Sequence, residues 1–157
     1  EEKRRNALLL DTSVLVDGRI LDIVRTGFID KDLLIIQPVV NELQLISDNS
    51  NKIKRQRGRR GLDILKELKK ITTVIVYDVP TKRTKVDEIL VEYAKREGIA
   101  LMTMDYNLNK VAQIEEIKVL NLNNLVNSLK TVVLPGEEIA LKIIQQGKEK
   151  KQGVGYL

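Results

Sequence analysis

The stretch Ala7-Leu8-Leu9-Leu10-Asp11-Thr12-Ser13 puts an apolar run directly before a carboxylate and two hydroxyl side chains. Four more short runs, rich in β-branched residues or leucine, have the same character and lie at 33–36, 74–77, 99–102 and 119–120. Strands that are apolar on both faces and alternate with helices indicate a parallel sheet with crossover helices. The sequence therefore predicts a doubly wound α/β domain, in three α/β/α layers around a central parallel sheet.

The segments between these strands have the apolar spacing of amphipathic helices. They cover residues 20–25, 39–46, 59–69, 85–97, 108–115 and 122–129. The motif Pro135-Gly136-Glu137-Glu138 predicts the start of one more helix, which would run to about Lys148. We therefore expect an α/β domain over residues 1–133, followed by a C-terminal helix and linker over residues 134–157.

The composition excludes several kinds of chemistry. The 157 residues match one ordinary domain and include no cysteine, no histidine and no tryptophan. Disulfides, thiolate sites, Ser-His-Asp triads and histidine-bound zinc all need residues that this chain lacks. A nucleotide cofactor is not expected, because neither a Gly-x-Gly-x-x-Gly motif nor a P-loop occurs. Carboxylates and metal ions remain as the available chemistry.

The charge of the chain favours a polyanionic partner. The formal net charge is +5, and the strongest local excess is a basic cluster formed by Lys52, Lys54, Arg55, Arg57, Arg59 and Arg60. This cluster is predicted to hold an RNA backbone, and a solvated run of charges is the alternative. With one Phe and four Tyr there are few side chains to stack on bases, so we expect weak sequence readout.

Two carboxylates follow predicted strands directly. Asp11 comes after the first strand and Asp105 comes after the fourth. In doubly wound sheets, ligands bind beyond the carboxyl ends of the strands, where the strand order reverses. If the order is 3-2-1-4-5, the ends of these two strands flank that crevice. Each Asp also has the position of a helix or turn cap, and the two roles are compatible.

Two further carboxylates lie at the edges of apolar helix faces. At about 100° per residue, Glu42 falls at the border of its helix's apolar stripe, and Asp87 does so on a later helix. Glu88, by contrast, shares the polar face with Glu92 and Lys95. The alternatives are an exposed ion pair for Glu42 and a first-turn acid favoured by the helix dipole for Asp87.

If the fold brings the four carboxylates together, they indicate a site for a divalent cation. Asp11, Glu42, Asp87 and Asp105 would repel one another, and some would have to take up protons. A divalent cation removes this conflict. Oxygen ligands without His or Cys suit Mg²⁺ or Mn²⁺ and disfavour zinc.

Several motifs follow one another along the chain: Leu10-Asp11-Thr12-Ser13-Val14-Leu15-Val16-Asp17-Gly18-Arg19-Ile20, the helix with Glu42, Arg57-Gly58-Arg59-Arg60-Gly61-Leu62-Asp63, Asp87, and Thr103-Met104-Asp105-Tyr106-Asn107-Leu108-Asn109-Lys110. Together they resemble the PIN-domain family, specifically its PIN-TRAM branch, in which a nuclease domain precedes a small RNA-binding β-barrel. The resemblance covers nearly the whole chain, and the segment after Leu134 resembles the connection into that barrel.

The resemblance implies a metal-dependent ribonuclease with five central parallel strands in the order 3-2-1-4-5. Asp11, Glu42, Asp87 and Asp105 match the acidic quartet of the family, so they are the expected catalytic residues and ligands of Mg²⁺ or Mn²⁺. Thr103 matches a supporting Ser or Thr, and Thr12 and Ser13 match hydroxyls of the pocket. Asp17 is either a metal contact or a turn or helix cap. Asn107 is either a partner of the ligands or part of the helix entry.

Location and partners stay expectations. No apolar run approaches the roughly 20 residues that span a bilayer, and the first residues are not a signal peptide. Many bacterial members of the family carry membrane helices ahead of this domain. We therefore expect a cytoplasmic domain, and the sequence leaves open whether a longer protein anchors it to a membrane. Self-association stays open as well.

Three other functions compete with the nuclease. A non-catalytic RNA-binding or regulatory module would have the same fold and basic surface. A phosphoacceptor receiver domain lacks support, since no acidic pair follows the first strand. A phosphatase of the Asp-x-Asp type is unsupported because Ser13 stands at the position of the second Asp.

Overall fold

A computed structural model describes residues 6–130 and 132–156. Its strands are β1 (Ala7–Leu10), β2 (Asp32–Ile36), β3 (Val74–Tyr77), β4 (Ala100–Thr103) and β5 (Val119–Asn121). They form a five-stranded parallel sheet in the order β3-β2-β1-β4-β5. The predicted fold class and strand order are confirmed.

The central strand explains why its sequence is apolar without interruption. Leu9 pairs with Leu34 of β2 on one side and with Leu101 of β4 on the other. Leu8, Leu9 and Leu10 are at most 2% exposed, and successive side chains of a strand point to opposite faces, so both faces of β1 are covered. A strand buried on both faces has no polar side to alternate with, which gives a continuous apolar run.

Helices connect the strands of the sheet, and one more helix follows β5. They are α1 (Thr12–Asp17), α2 (Ile20–Arg25), α3 (Gln37–Ser47), α4 (Lys52–Ile71), α5 (Val86–Glu97), α6 (Tyr106–Ile114) and α7 (Leu122–Ser128). The short helix α1 was not predicted, and α4 begins well before the predicted start at Arg59. Its N-cap is Asn51, whose side chain accepts hydrogen bonds from the backbone N–H groups of Ile53 and Lys54. The basic cluster is therefore the first half of a helix.

Two glycines allow α3 and α4 to approach closely. A Cβ atom on Gly58 would lie 2.3 Å from the backbone N of Ser47, and one on Gly61 would lie 2.5 Å from a Leu43 methyl group. Both glycines are buried. This contact holds α3, and with it Glu42, against the long helix.

The chain divides into two compact units, one up to Leu122 and one from Asn123 onward. The second unit contains an antiparallel hairpin of β6 (Ile143–Gln146) and β7 (Gly153–Gly155). The predicted helix from Pro135 to about Lys148 is therefore wrong. Ile143 and Ile144 are β-branched and favour a strand. The partner strand lies further along the chain, so a helix prediction from local sequence does not take it into account. The boundary at residue 134 and the expected barrel stay predictions.

No helix within residues 6–130 and 132–156 combines the length and the apolar character needed to cross a bilayer.

Candidate metal centre

Asp11 lies at the carboxyl end of the central strand, beside the end of β4. Leu10 pairs with Met102, and the backbone N–H of Asp11 donates to the Met102 carbonyl at 3.0 Å. Neighbouring parallel strands end at the same edge of a sheet, so this pairing brings Asp11 next to Thr103 and the loop that carries Asp105. The ends of the first and fourth strands meet as predicted.

Two hydroxyl groups converge on one oxygen of Asp11. Ser13 Oγ donates to Asp11 Oδ2 at 2.7 Å, and Thr103 Oγ1 donates to the same oxygen at 2.8 Å. Each hydroxyl also accepts a backbone N–H from the loop after β4: Met104 N donates to Ser13 Oγ at 3.0 Å, and Asp105 N donates to Thr103 Oγ1 at 2.9 Å. The loop backbone is thereby connected to the carboxylate through both hydroxyls.

The surroundings of Asp11 disfavour its negative charge. The residue is only 5% exposed. Burial raises the pKa of Asp11, hydrogen bonds from Ser13, Thr103 and the Thr12 backbone offset part of the rise, and the charge of Asp105 adds to it. An ionised Asp11 is therefore stabilised by any cation that reaches it.

Glu42 joins the same edge of the sheet from α3. Thr12, buried at the start of α1, donates its hydroxyl to Glu42 Oε2 at 2.6 Å. Glu42 is half-buried, as its place at the border of the apolar stripe predicts. The residue directly after Asp11 therefore positions a second carboxylate, a role that sequence reasoning did not assign to Thr12.

Asp87 interacts electrostatically with the other three candidate carboxylates. It lies in the first turn of α5 on an exposed position. Desolvation raises the pKa of Asp87, and the charges of Asp11, Asp105 and Glu42 raise it further. Carboxylates from β1, α3, α5 and the β4–α6 loop thus share one electrostatic neighbourhood.

Asp105 has the capping role that its sequence position predicts, and its role as a metal ligand stays a prediction. It is exposed and is the N-cap of α6, where its Oδ1 accepts the backbone N–H of Asn107 at 2.8 Å. The contact from Asn107 is made by its backbone, and the residue lines a groove between α5 and α6.

Asp17 has other partners. Its carboxylate forms an ion pair with Arg19 at 2.9 Å, and its backbone carbonyl accepts a hydrogen bond from Arg60 Nη2 at 2.6 Å. Burial opposes ionisation of Asp17, but the hydrogen bonds and charge of Arg19, followed by the charge of Arg60, outweigh it and lower its pKa. Asp17 and Gly18, whose φ is +84°, form the end of α1. This arrangement supports the turn and cap role.

The basic cluster covers the first turns of α4. Lys52, Lys54, Arg57 and Arg59 are exposed, and Arg55 is half-buried. Arg60 is exposed but directs its guanidinium to the end of α1. Contact of this cluster with RNA stays a prediction.

The donor set suits a hard divalent cation. As the side chains stand, no three carboxylates within residues 6–130 and 132–156 form a group compact enough to hold a metal ion. The four candidates nevertheless offer only oxygen ligands, and burial together with the charges of neighbouring carboxylates raises the pKa of Asp11 and of Asp87. These ligands and this excess of negative charge fit Mg²⁺ or Mn²⁺.

The sheet and this edge define an α/β domain with a carboxylate site beyond the ends of β1 and β4. Residues 8–114 match the model of the PIN domain family. The chain belongs to this family. PIN domains are generally metal-dependent nuclease folds.

Curated relatives carry a second domain in their names. The chain is 46% identical to YacL of Bacillus subtilis and 44% identical to slr1972 of Synechocystis, both named as PIN and TRAM-domain containing proteins, over 100% and 95% of its length. A relative from Thermus thermophilus with the same description is 37% identical over 98% of the chain. The chain spans 44%, 42% and 46% of these three relatives, so it corresponds to less than half of each.

Solved structures support the fold. A domain of a Methanocaldococcus jannaschii protein superposes with a TM-score of 0.62 at 21% identity, covering 86% of this chain and 99% of that one. A PilT N-terminus domain protein from Sulfolobus solfataricus gives 0.51 at 16% identity, with 82% and 98% covered. At these identities the similarity concerns the fold alone.

Proposed function

We propose that this PIN domain is an endoribonuclease that hydrolyses RNA phosphodiesters with Mg²⁺ or Mn²⁺ held by Asp11, Glu42, Asp87 and Asp105. The observation that carries the proposal is the hydrogen-bonded arrangement at the ends of β1 and β4, where Thr103 links Asp11 to the backbone of Asp105 and Thr12 holds Glu42. Burial raises the pKa of Asp87, and the charges of the other three carboxylates raise it further. Such a set at the carboxyl ends of parallel strands is stabilised by a doubly charged ion.

The neighbouring hydroxyls have positioning roles in this proposal. Ser13 and Thr103 hold Oδ2 of Asp11, and Thr12 holds Oε2 of Glu42. A divalent cation held by these carboxylates would lower the pKa of a water molecule and offset charge on the phosphate oxygens. The chain has no histidine, so carboxylates, hydroxyls and backbone groups are what the protein offers to orient that water.

RNA is the proposed substrate because of the charge of the chain and its similarity to TRAM-domain containing proteins. The chain is basic overall, and the relatives are named as having a TRAM domain, which is expected to bind RNA. Exposed cations on α4 are proposed to hold phosphates, and each such contact makes affinity fall with salt. Substituting Arg59→Gln should reduce the slope of log affinity against log salt by about one. Arg60 is unsuitable for this measurement because it also contacts the end of α1.

The direct test compares cleavage of a labelled single-stranded RNA under four conditions: parent with Mn²⁺, parent with chelator, Asp11→Asn with Mn²⁺, and Asp22→Asn with Mn²⁺. Asp22 is a matched control, since its side chain is 84% exposed and pairs with Arg25 outside the site. We expect cleavage only by the parent and Asp22→Asn with metal. Cleavage that survives both the chelator and Asp11→Asn would reject the proposal. RNA binding without cleavage in every condition would favour the non-catalytic module.

We also propose that the second unit belongs to the other domain of a longer protein. Its hairpin leaves apolar side chains exposed, with Ile143 59% and Ile144 56% exposed. An isolated two-stranded hairpin is at best marginally stable in water. The proposal replaces the expected helix and linker with the first strands of a TRAM-like β-barrel.

A further inference from the structure

A groove of about 710 Å³ runs between α5 and α6. Its floor is apolar and consists of Val91, Leu108 and Val111. Both helices begin at the carboxyl ends of strands, and Asp87 and Asn107 line the groove at that end. One end of the groove therefore opens at the candidate metal centre.

The walls of the groove carry cations that are already paired. Lys95 Nζ lies 2.8 Å from a Glu115 carboxylate oxygen at the end away from Asp87. Arg83 contacts Glu88 at 3.4 Å and also contacts Glu92. The other two cations that line the groove, Lys85 and Arg96, also lie within 4 Å of a carboxylate, that of Glu88 and Glu97 respectively. Four cations and four carboxylates line the groove, so a phosphate would compete with existing ion pairs, whereas a flat uncharged group would contact balanced pairs above an apolar floor. The walls thus favour an uncharged ligand.

The floor is open to such a ligand. Val111 is 50% exposed, although Val91 and Leu108 beside it are buried. From Asn107 to Glu115 the groove has a length of about 12 Å, given the rise of a helix per residue. Covering the exposed part of Val111 gains free energy in proportion to the apolar area removed from water.

We propose that this groove binds a nucleobase of single-stranded RNA next to the phosphodiester that is cut. The inference rests on the proposed function, because a nucleotide whose phosphate lies at Asp87 places its base or its neighbour's base beside the groove entrance. The base must be unpaired, since bases within an RNA duplex are stacked and inaccessible. Aliphatic contacts fit any base face, so the subsite would select single strands and discriminate little between sequences.

Because the chain has no cysteine, a single introduced thiol can report whether RNA covers the groove. The Val111→Cys variant carries its only thiol on the groove floor, and Ile114→Cys carries it on the same helix at a position that is 80% exposed and outside the groove. Both are made in the Asp11→Asn background so that bound RNA is not cut. The measurement is the rate of maleimide alkylation with and without a single-stranded RNA whose saturation is established by fluorescence anisotropy.

At an RNA concentration about ten times the Kd, about a tenth of the protein is free, so alkylation of Val111→Cys should slow about ten-fold while Ile114→Cys is unchanged. An RNA with one abasic nucleotide, moved along the strand, should lose this protection at one or two positions beside the cleavage site. Duplex RNA should not protect.

Two results with RNA would overturn the inference: bound RNA that leaves Val111→Cys fully reactive, or absence of RNA binding. Protection that grows with protein concentration in the absence of RNA would also overturn it, because it would assign the groove to a second copy or another protein. The proposed function is judged separately by cleavage with the parent chain. Cleavage without protection rejects the subsite alone, and protection without cleavage rejects the nuclease alone.

Discussion

At the scale of single residues, the candidate centre depends on hydroxyl groups as much as on carboxylates. Thr103 is fully buried, donates to Asp11 and accepts from the backbone of Asp105. It therefore links two proposed ligands through one oxygen atom. Groups that orient metal ligands in this way contribute strongly to metal affinity and activity.

Replacing this hydroxyl tests its positioning role. Thr103→Val keeps the shape of the side chain but removes the donor to Asp11 and the acceptor for the Asp105 N–H, so we expect metal affinity or cleavage to fall about 10- to 100-fold. Thr103→Ser keeps the hydroxyl and should retain most of both. Calorimetric titration with Mn²⁺ gives the affinity. Equal behaviour of the Val and Ser variants would contradict the role of the hydroxyl.

Asp87 gives a pH-dependent prediction. Its folded pKa is raised above the ordinary 3.8, first by desolvation and then by the other carboxylates, so the folded metal-free chain holds this proton more tightly than the unfolded chain. As pH rises through the raised pKa, the proton is lost and the free energy of unfolding falls by linkage. The Asp87→Asn variant cannot ionise, so its stability relative to the parent should increase with pH above about 4.

Urea unfolding of both proteins in chelator, at several pH values, measures this difference. Millimolar Mn²⁺ should reverse it at neutral pH, because an ion that binds only the folded form stabilises the chain that has all its ligands. A difference that is independent of pH, or that declines as pH rises, would contradict a raised pKa of Asp87 in the folded chain.

The residue types of the site could be predicted from sequence, but their connections could not. Glu42 and Asp87 are recognisable by their position on a helix face, which depends only on local spacing. The hydrogen bond between Thr12 and Glu42 joins residues that are 30 apart, and the one between Thr103 and Asp11 joins residues that are 92 apart. Such contacts depend on which strands and helices are neighbours, and local patterns do not contain that information.

At the scale of elements, the packing of α3 on α4 positions Glu42. Gly58 has no room for a side chain, since a Cβ atom would lie 2.3 Å from backbone N of Ser47. Gly61 faces the Leu43 side chain, which can rotate away. The two glycines lie on the same helix, but Gly58 faces the backbone of Ser47 whereas Gly61 faces a side chain, which moves more easily.

This difference makes Gly61→Ala a matched control for Gly58→Ala. Alanine gains up to about 1 kcal/mol of helix propensity at either position, while overpacking costs about 1–3 kcal/mol where the neighbour is rigid. We expect Gly58→Ala to lower the free energy of unfolding and Gly61→Ala to change it less. Thermal or urea unfolding measures both. Equal or reversed effects would contradict the close approach of the two helix backbones.

The strands were predictable because each is a compact apolar run, and the errors fall where signals are weak or distant. Helix α1 has the sequence Thr12-Ser13-Val14-Leu15-Val16-Asp17, whose three adjacent apolar residues do not show helical spacing. The start of α4 was hidden by its basic side chains, although Asn51 gives a capping signal there. In the second unit, Glu137 and Glu138 suggested a helix start, but the chain instead pairs Gln146 with Gly153 in a hairpin.

At the scale of the whole molecule, the chain corresponds to less than half of its curated relatives, and its second unit leaves apolar strand faces exposed. If the segment that follows in a longer protein covers these faces, the backbone amides of β6 and β7 should exchange hydrogen much more slowly in the extended protein than in this chain. Amides of β1 and β4 serve as the internal reference and should be unchanged. Equal exchange of the hairpin in both proteins would contradict its assignment to a second domain.

The central claim is that Asp11, Glu42, Asp87 and Asp105 share a divalent cation. The most direct measurement is anomalous X-ray scattering from a crystal of this chain soaked in millimolar Mn²⁺. The account predicts an anomalous peak among these four carboxylates in the parent and its loss in Asp11→Asn. A parent crystal with no peak there, or with Mn²⁺ bound only elsewhere, would contradict it.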